Sequence, residues 1–261
     1  MTQTAPFAPI AFPSLLAGKR VVVLGSASGL GRAVALAAEG AGAEVLGLDD
    51  QKRFDGVHAL YHADLTDPEA LDAAAQALPD GLDGLVLLPD PGAGGPAQTL
   101  ARAWLGPRHL AQALGPKLAQ GASVIFRAAP VTAQWQAALG ETRAAMALRW
   151  ADIDGFVARW GLQAEPDRAI RTAGWGALGW TMAHAHSQHG VRFNAVTPAS
   201  PDGHLPPAIA ARLGVEGGAG AQSAARAVLY LLSDLSAGVT GANLAADGGA
   251  SAHYTTRLDG L

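Results

Sequence analysis

Val21 to Gly31 reads VVVLGSASGLG, a short apolar run that ends in glycines spaced Gly25-x3-Gly29-x-Gly31 and then enters a helical pattern. A buried parallel strand that turns sharply into a helix, with its backbone amides free to approach a pyrophosphate, needs glycine at these positions, because a side chain would stand in the way. The stretch is therefore a dinucleotide-binding turn.

Outward from it, apolar runs alternate with helical stretches. EVLGL follows a helix that begins at Gly29, and Thr66-Asp67-Pro68-Glu69 announces the next helix. Further strands are expected at 84–88, 123–126 and 191–196, with helices around 100–118, 170–186 and 221–232. This β-α-β-α order predicts an α/β fold, a single doubly wound parallel sheet. Residues 1–18 are expected to form an N-terminal extension, and 19–261 one Rossmann-type domain. Between 131 and 163, Met146, Trp150, Ile153, Val157 and Trp160 step by helical intervals, which predicts one amphipathic helix, weakened or bent at Gly155.

The 261 residues, 49% hydrophobic, suffice for one large core. The net charge of −4 and the lack of any Lys/Arg cluster argue against a phosphate-backbone partner, so no nucleic acid is expected. Cysteine is absent, which removes disulfides and thiolate chemistry and makes a reducing compartment, the cytoplasm, the expectation. The first twenty residues lack a basic start and carry three prolines, so neither a signal peptide nor a membrane span is expected there.

Six segments from about Gly18 to Gly249 together resemble the short-chain dehydrogenase/reductase family. The glycine turn, with Ser28 and Leu30 inside it, is the first. Asp49, closing the second strand, matches the acid that bonds the adenosine ribose hydroxyls, and a carboxylate there repels a 2′-phosphate, which favours NAD(H) over NADP(H). Ser28, where a basic residue often meets that phosphate, agrees. Asp64 and Leu65 resemble the pair at the adenine, although Asp64 also fits a simple turn before a helix cap. Gly92 is what persists of the family's Asn-Asn-Ala-Gly in PDPG, Asn194 to Pro198 resembles the strand entering the nicotinamide loop, and GVTGANLAADGG resembles the last strand.

The resemblance fails where the chemistry belongs. The family's Tyr-x-x-x-Lys pair, in which the ammonium lowers the tyrosine pKa, cannot be formed from Tyr61, Tyr230 and Tyr254 with Lys19, Lys52 and Lys117. Counting back from Pro198 by the family's interval puts Arg168 at the tyrosine and Thr172 at the lysine; Ala129 falls on the serine and Ala103 on the helix asparagine. A guanidinium does not release a proton at neutral pH. Ala129 and Arg168 also lie 39 positions apart, well beyond the family's spacing, so a helical insertion over about 131–167 is expected beside the cleft, before the long sixth helix.

Other groups remain near that cleft. Arg127, Thr132, Arg168 and Thr172 are its polar candidates, with Arg168 either an anion site or half of a salt bridge. Trp150, Trp160, Trp175 and Trp180 form an aromatic pocket or, the favoured reading, a packing seam. His184, His186 and His189 read as helix-end histidines, and no metal-ligand spacing occurs.

Three functions follow as expectations. The leading one is an NAD(H)-binding, non-catalytic structural or regulatory subunit, pairing with itself or with an active paralogue; the resemblance implies assembly through the long helices and the last strand, and AGWGALGWTMA permits close approach of another helix. The second is an active NAD-dependent oxidoreductase on an alcohol or ketone, with an unusual proton donor drawn from substrate, water or the insertion. The third is a non-redox enzyme or a module that binds another small-molecule ligand.

Overall fold

The computed structural model describes residues 14–51, 56–92, 94–128, 138–186, 190–199 and 219–249. Seven parallel strands form one sheet in the order β3-β2-β1-β4-β5-β6-β7: β1 (Arg20–Leu24), β2 (Glu44–Asp49), β3 (Ala59–His62), β4 (Leu82–Leu87), β5 (Leu118–Arg127), β6 (Arg192–Pro198) and β7 (Asn243–Ala246). The doubly wound parallel sheet expected from the sequence is the observed architecture. β3 is the strand the apolar pattern misses, since ALYH is half-buried to exposed along its length.

Strands covered on both faces read as continuous apolar runs, and alternate residues of the sheet feed two cores. Val22, Leu24, Leu46, Leu85 and Phe126 face one core, under α2 (Pro68–Ala77), α3 (Pro96–Leu100), α4 (Gly106–Leu114) and α7 (Pro166–Ala183). Val21, Val23, Val45, Val86 and Ile125 face the other, under α1 (Gly29–Gly40) and α8 (Ala219–Leu232). Leu16, within the stretch expected as an extension, is fully buried in this second core, and its N–H donates to Ala41 O at 2.9 Å. The Thr66–Glu69 signal is realised as drawn: Asp67 caps α2 by accepting from Glu69 N, and Pro68 opens the helix.

The insertion departs from expectation. The stripe from Met146 to Trp160 does not lie on one helix but on two short ones, α5 (Leu139–Met146) and α6 (Ile153–Trp160), joined through extended Arg149 and a 3-10 turn at Trp150–Asp152. α6 runs through Gly155, and the break falls instead at 147–149. Tertiary bonds explain that position. Arg108 of α4 donates to Met146 O at 2.7 Å and to Leu148 O, taking up carbonyls at the end of α5, while Leu148 turns into the core.

α5 lies along α7 over the first core. Trp104 sits on a π-helical turn (Ala101–Leu105) between α3 and α4, fully buried, and its indole N–H donates to Ala145 O at 2.7 Å. Gly176 and Gly179 of α7 make room: a Cβ would stand 2.9 Å from Trp104 Cε2 at the first and 2.5 Å from Met146 Sδ at the second. The small residues of α7 thus admit close neighbours from the same chain. Among the tryptophans, Trp180 packs on Phe126 at 5.2 Å, and Trp150 and Trp160 lie half-buried against the same core, as a packing seam requires.

Truncating Trp104 to Ala should cost about 3–5 kcal/mol of unfolding free energy, whereas Trp104→Phe, which keeps most of the ring volume and loses the bond to Ala145, should cost about 1–3 kcal/mol. Urea denaturation of the two variants checks the order; equal losses would show that the ring's bulk contributes nothing there.

Candidate functional site

At the carboxyl edge of the sheet, β1 leaves through a turn with no room for side chains. A Cβ on Gly31 would lie 2.1 Å from Gly25 O, and one on Gly25, which has φ +77°, would lie 2.6 Å from Pro89 Cα. Gly29 begins α1 at φ +50°, with Leu30 buried behind it. Ser28 occupies the N-cap in extended conformation but makes no side-chain capping bond, so no hydroxyl covers the first-turn amides of α1.

Asp49 is 1% exposed. Its Oδ2 accepts from Ala27 N of the glycine turn at 2.9 Å and its Oδ1 from Gln51 N at 3.0 Å, so the carboxylate braces the turn. Burial pushes its pKa up, against the two amide bonds that pull it down and with the neighbouring Asp50 adding to the rise. Asp50 behaves oppositely: Arg102 Nη1 donates to its Oδ2 at 2.5 Å and holds its carboxyl below the usual range. Arg102 Nε also donates to Asp90 O at 3.0 Å, and Asp90 Oδ1 accepts from Gly92 N at 2.9 Å. One chain of contacts therefore links the loops after β1, β2 and β4.

The remaining nucleotide-side residues spread along the same edge. Asp64 is exposed and accepts from Thr66 N at 2.8 Å and Thr66 Oγ1 at 2.7 Å, a turn ahead of the α2 cap; Leu65 is fully buried in the first core. Gly92 holds φ +77°, and Pro198 is the buried last residue of β6. Arg127, buried at the end of β5, donates to Pro89 O at 3.3 Å.

Of the four positions matched to proton handling, the structure describes Ala103, Arg168 and Thr172. Ala129 and Thr132 lie outside the described residues, as does His189. Ala103 is a half-buried member of the π-helical turn. Arg168 and Thr172, one turn apart on α7, meet a residue the sequence reading did not single out: Glu141 of α5, which is 2% exposed. Arg168 Nη2 donates to Glu141 Oε2 at 2.6 Å, and Thr172 Oγ1 donates to Glu141 Oε1 at 2.5 Å. Of the two readings of Arg168, the salt bridge is what forms. No local pattern marks Glu141, since its partners lie 27 and 31 positions away.

His184 ends α7, its ring stacked on Trp180 at 3.6 Å and its Nδ1 on Trp180 O at 2.8 Å, as expected of a helix-end histidine. Among the described residues no group of three or more His, Asp or Glu gathers as a metal site, and no helix is long and apolar enough to cross a membrane.

No family model matches the chain. It is 32% identical over 125 residues to the coniferyl-alcohol dehydrogenase of a Pseudomonas species, a match that covers 48% of this chain and 49% of that relative, so it spans about half the length of each. Among solved structures, a 3α-hydroxysteroid dehydrogenase from a Pseudomonas strain, B-0831, complexed with NADH, superposes with a TM-score of 0.73 at 21% identity, covering 93% of this chain and 99% of that one. A doubly substituted short-chain dehydrogenase/reductase from Serratia marcescens gives a TM-score of 0.64 at 20% identity, covering 91% and 99%. These structural likenesses show the fold.

Proposed function

We propose that this chain is a divergent short-chain dehydrogenase/reductase that binds NAD(H) and serves as a non-catalytic structural or regulatory subunit, paired with itself or with an active paralogue. The observation that carries the reading is Glu141. Its buried carboxylate engages both Arg168 and Thr172, so the side chains matched to the family's tyrosine and lysine hold the insertion in place. An arginine bonded to a carboxylate is neither a proton donor nor a lysine-like activator of a phenol.

The nucleotide half fits its group. A turn too tight for a Cβ on Gly25 or Gly31, which would collide with Pro89 Cα or Gly25 O, and an α1 N-terminus without a side-chain cap suit a pyrophosphate. Bound there, a nicotinamide dinucleotide supplies hydride chemistry. Asp49, beside the glycine turn, supports NAD(H) over NADP(H).

The partial match to coniferyl-alcohol dehydrogenase favours a second reading, an active oxidoreductase on an alcohol with a non-standard proton acceptor. Calorimetric titration with NADH, run beside a turnover assay with NAD and coniferyl alcohol or other alcohols, separates the two. NADH binding without turnover is the expected result, and substrate-dependent NADH production would overturn the non-catalytic reading. Asp49→Ala should weaken NADH at least about tenfold. A chain that remains a lone monomer when purified from its native host would remove the subunit role.

The anchoring role of Glu141 has its own check. Glu141→Gln should lower stability by about 2 kcal/mol, whereas Glu141→Leu with Arg168→Met should recover part of that loss, because removing the buried carboxylate together with its guanidinium leaves neither without its partner. Urea denaturation of the double variant beside Glu141→Leu and Arg168→Met alone reads this, and full additivity would deny the pairing.

A further inference from the structure

The Arg102–Asp50 ion pair lies where the order of the sheet reverses. β1 has β2 on one side and β4 on the other, so the loops after these three strands converge at one crevice, the usual ligand position of an open α/β sheet. With strands spaced about 4.8 Å apart, the ends of β2 and β4 stand roughly 10 Å from each other across the glycine turn. Arg102, on the π-helical turn beyond the β4 loop, spans that gap: its Nε is fixed by Asp90 O on the β4 side and its Nη1 reaches Asp50 on the β2 side. Gly92, at φ +77°, lies against its side chain, where a Cβ would be in ordinary contact with Arg102 Cδ at 3.4 Å.

Asp50 directly follows Asp49, the residue matched to the adenosine ribose. The guanidinium is therefore held within one residue of the place that decides between a 2′-hydroxyl and a 2′-phosphate. The Asp50 side chain is 34% exposed and that of Arg102 17%, so the pair reaches solvent at the crevice, where another anion can take the carboxylate's place. Its planar fork suits phosphate as well as carboxylate.

We propose that Arg102 is a masked receptor for the adenosine 2′-phosphate, and that Asp50, by occupying its guanidinium, reinforces Asp49 in making the crevice select NAD(H). This rests on the reading of the crevice as a dinucleotide site. Asp50 is thus a specificity-determining residue that acts through another side chain.

The test compares the full-length chain with Asp50→Asn, Asp50→Ser and the Asp50→Asn/Arg102→Gln double variant, titrating each with NADH and NADPH and recording thermal melting alongside. Freeing the guanidinium should improve NADPH affinity relative to NADH by at least about tenfold in both single variants, and Arg102→Gln should abolish the gain. An unchanged ratio in proteins that still bind NADH would overturn the proposal. So would a gain that survives Arg102→Gln, which would assign the phosphate to Lys52 or Arg53, next in the sequence. Binding of neither dinucleotide by parent and single variants alike would remove the dinucleotide reading and the proposal together, an outcome distinct from an unchanged ratio.

Discussion

The rest of the structure depends on a backbone contact at the end of β1, where Gly31 closes against Gly25 O and Gly25 against Pro89. β1 is buried on both faces, and the hydrogen-bonded ladder continues past its end, with Gly25 N donating to Leu48 O at 2.9 Å. The chain must then reverse within the width of one strand. Only glycine permits that approach, and the approach draws three loops together. It puts Ala27 N within reach of Asp49 and lets Arg102, reaching from beyond β4, meet Asp50 beyond β2. The acid–base chemistry of this corner follows from the tightness of the turn.

A second consequence concerns α7, whose stripe from Arg168 through Thr172, Gly176 and Gly179 receives Glu141, Trp104 and Met146. A carboxylate buried to this degree is costly unless paired and bonded. Arg168 and Thr172 supply both conditions, and Arg108 satisfies the carbonyls at the other end of α5. Polar anchors at each end with apolar contact between them hold a helix too short to be stable alone. The face of α7 that its small residues open is filled by Trp104 and by Met146 of α5, both from the same chain.

The β-α order was legible because buried parallel strands are apolar throughout, as VVVL and EVLGL are, and because Thr66-Asp67-Pro68-Glu69 is a local cap whose physics fits within four residues. β3 was not, since a strand that is only half-buried carries no such run. In the insertion, helical spacing from Met146 to Trp160 was real as a count but blind to the break at 147–149, which is set by Arg108, some forty positions earlier. The candidate site divides the same way. Glycine spacing and Asp49 stand beside one another on adjacent strands and follow a pattern. Glu141 with Arg168, and Asp50 with Arg102, are pairings across 27 and 52 positions that only the folded chain brings together.

Asp49 and Asp50 show how far neighbouring carboxylates can be driven apart by their surroundings. Asp49 is raised by burial, so its ionised form opposes folding, and that penalty is relieved as pH falls through its folded-state pKa. Asp50 is lowered by Arg102, so it contributes stability at neutral pH that is lost only as pH falls below the ordinary carboxylate range. Because they interact, the two titrate as a pair. The first proton goes to the buried member and removes a like charge from beside the second. The Arg102–Asp50 bridge therefore outlasts the ionised state of Asp49 on acidification, and the link between the β2 and β4 loops persists after the carboxylate under the glycine turn has been neutralised.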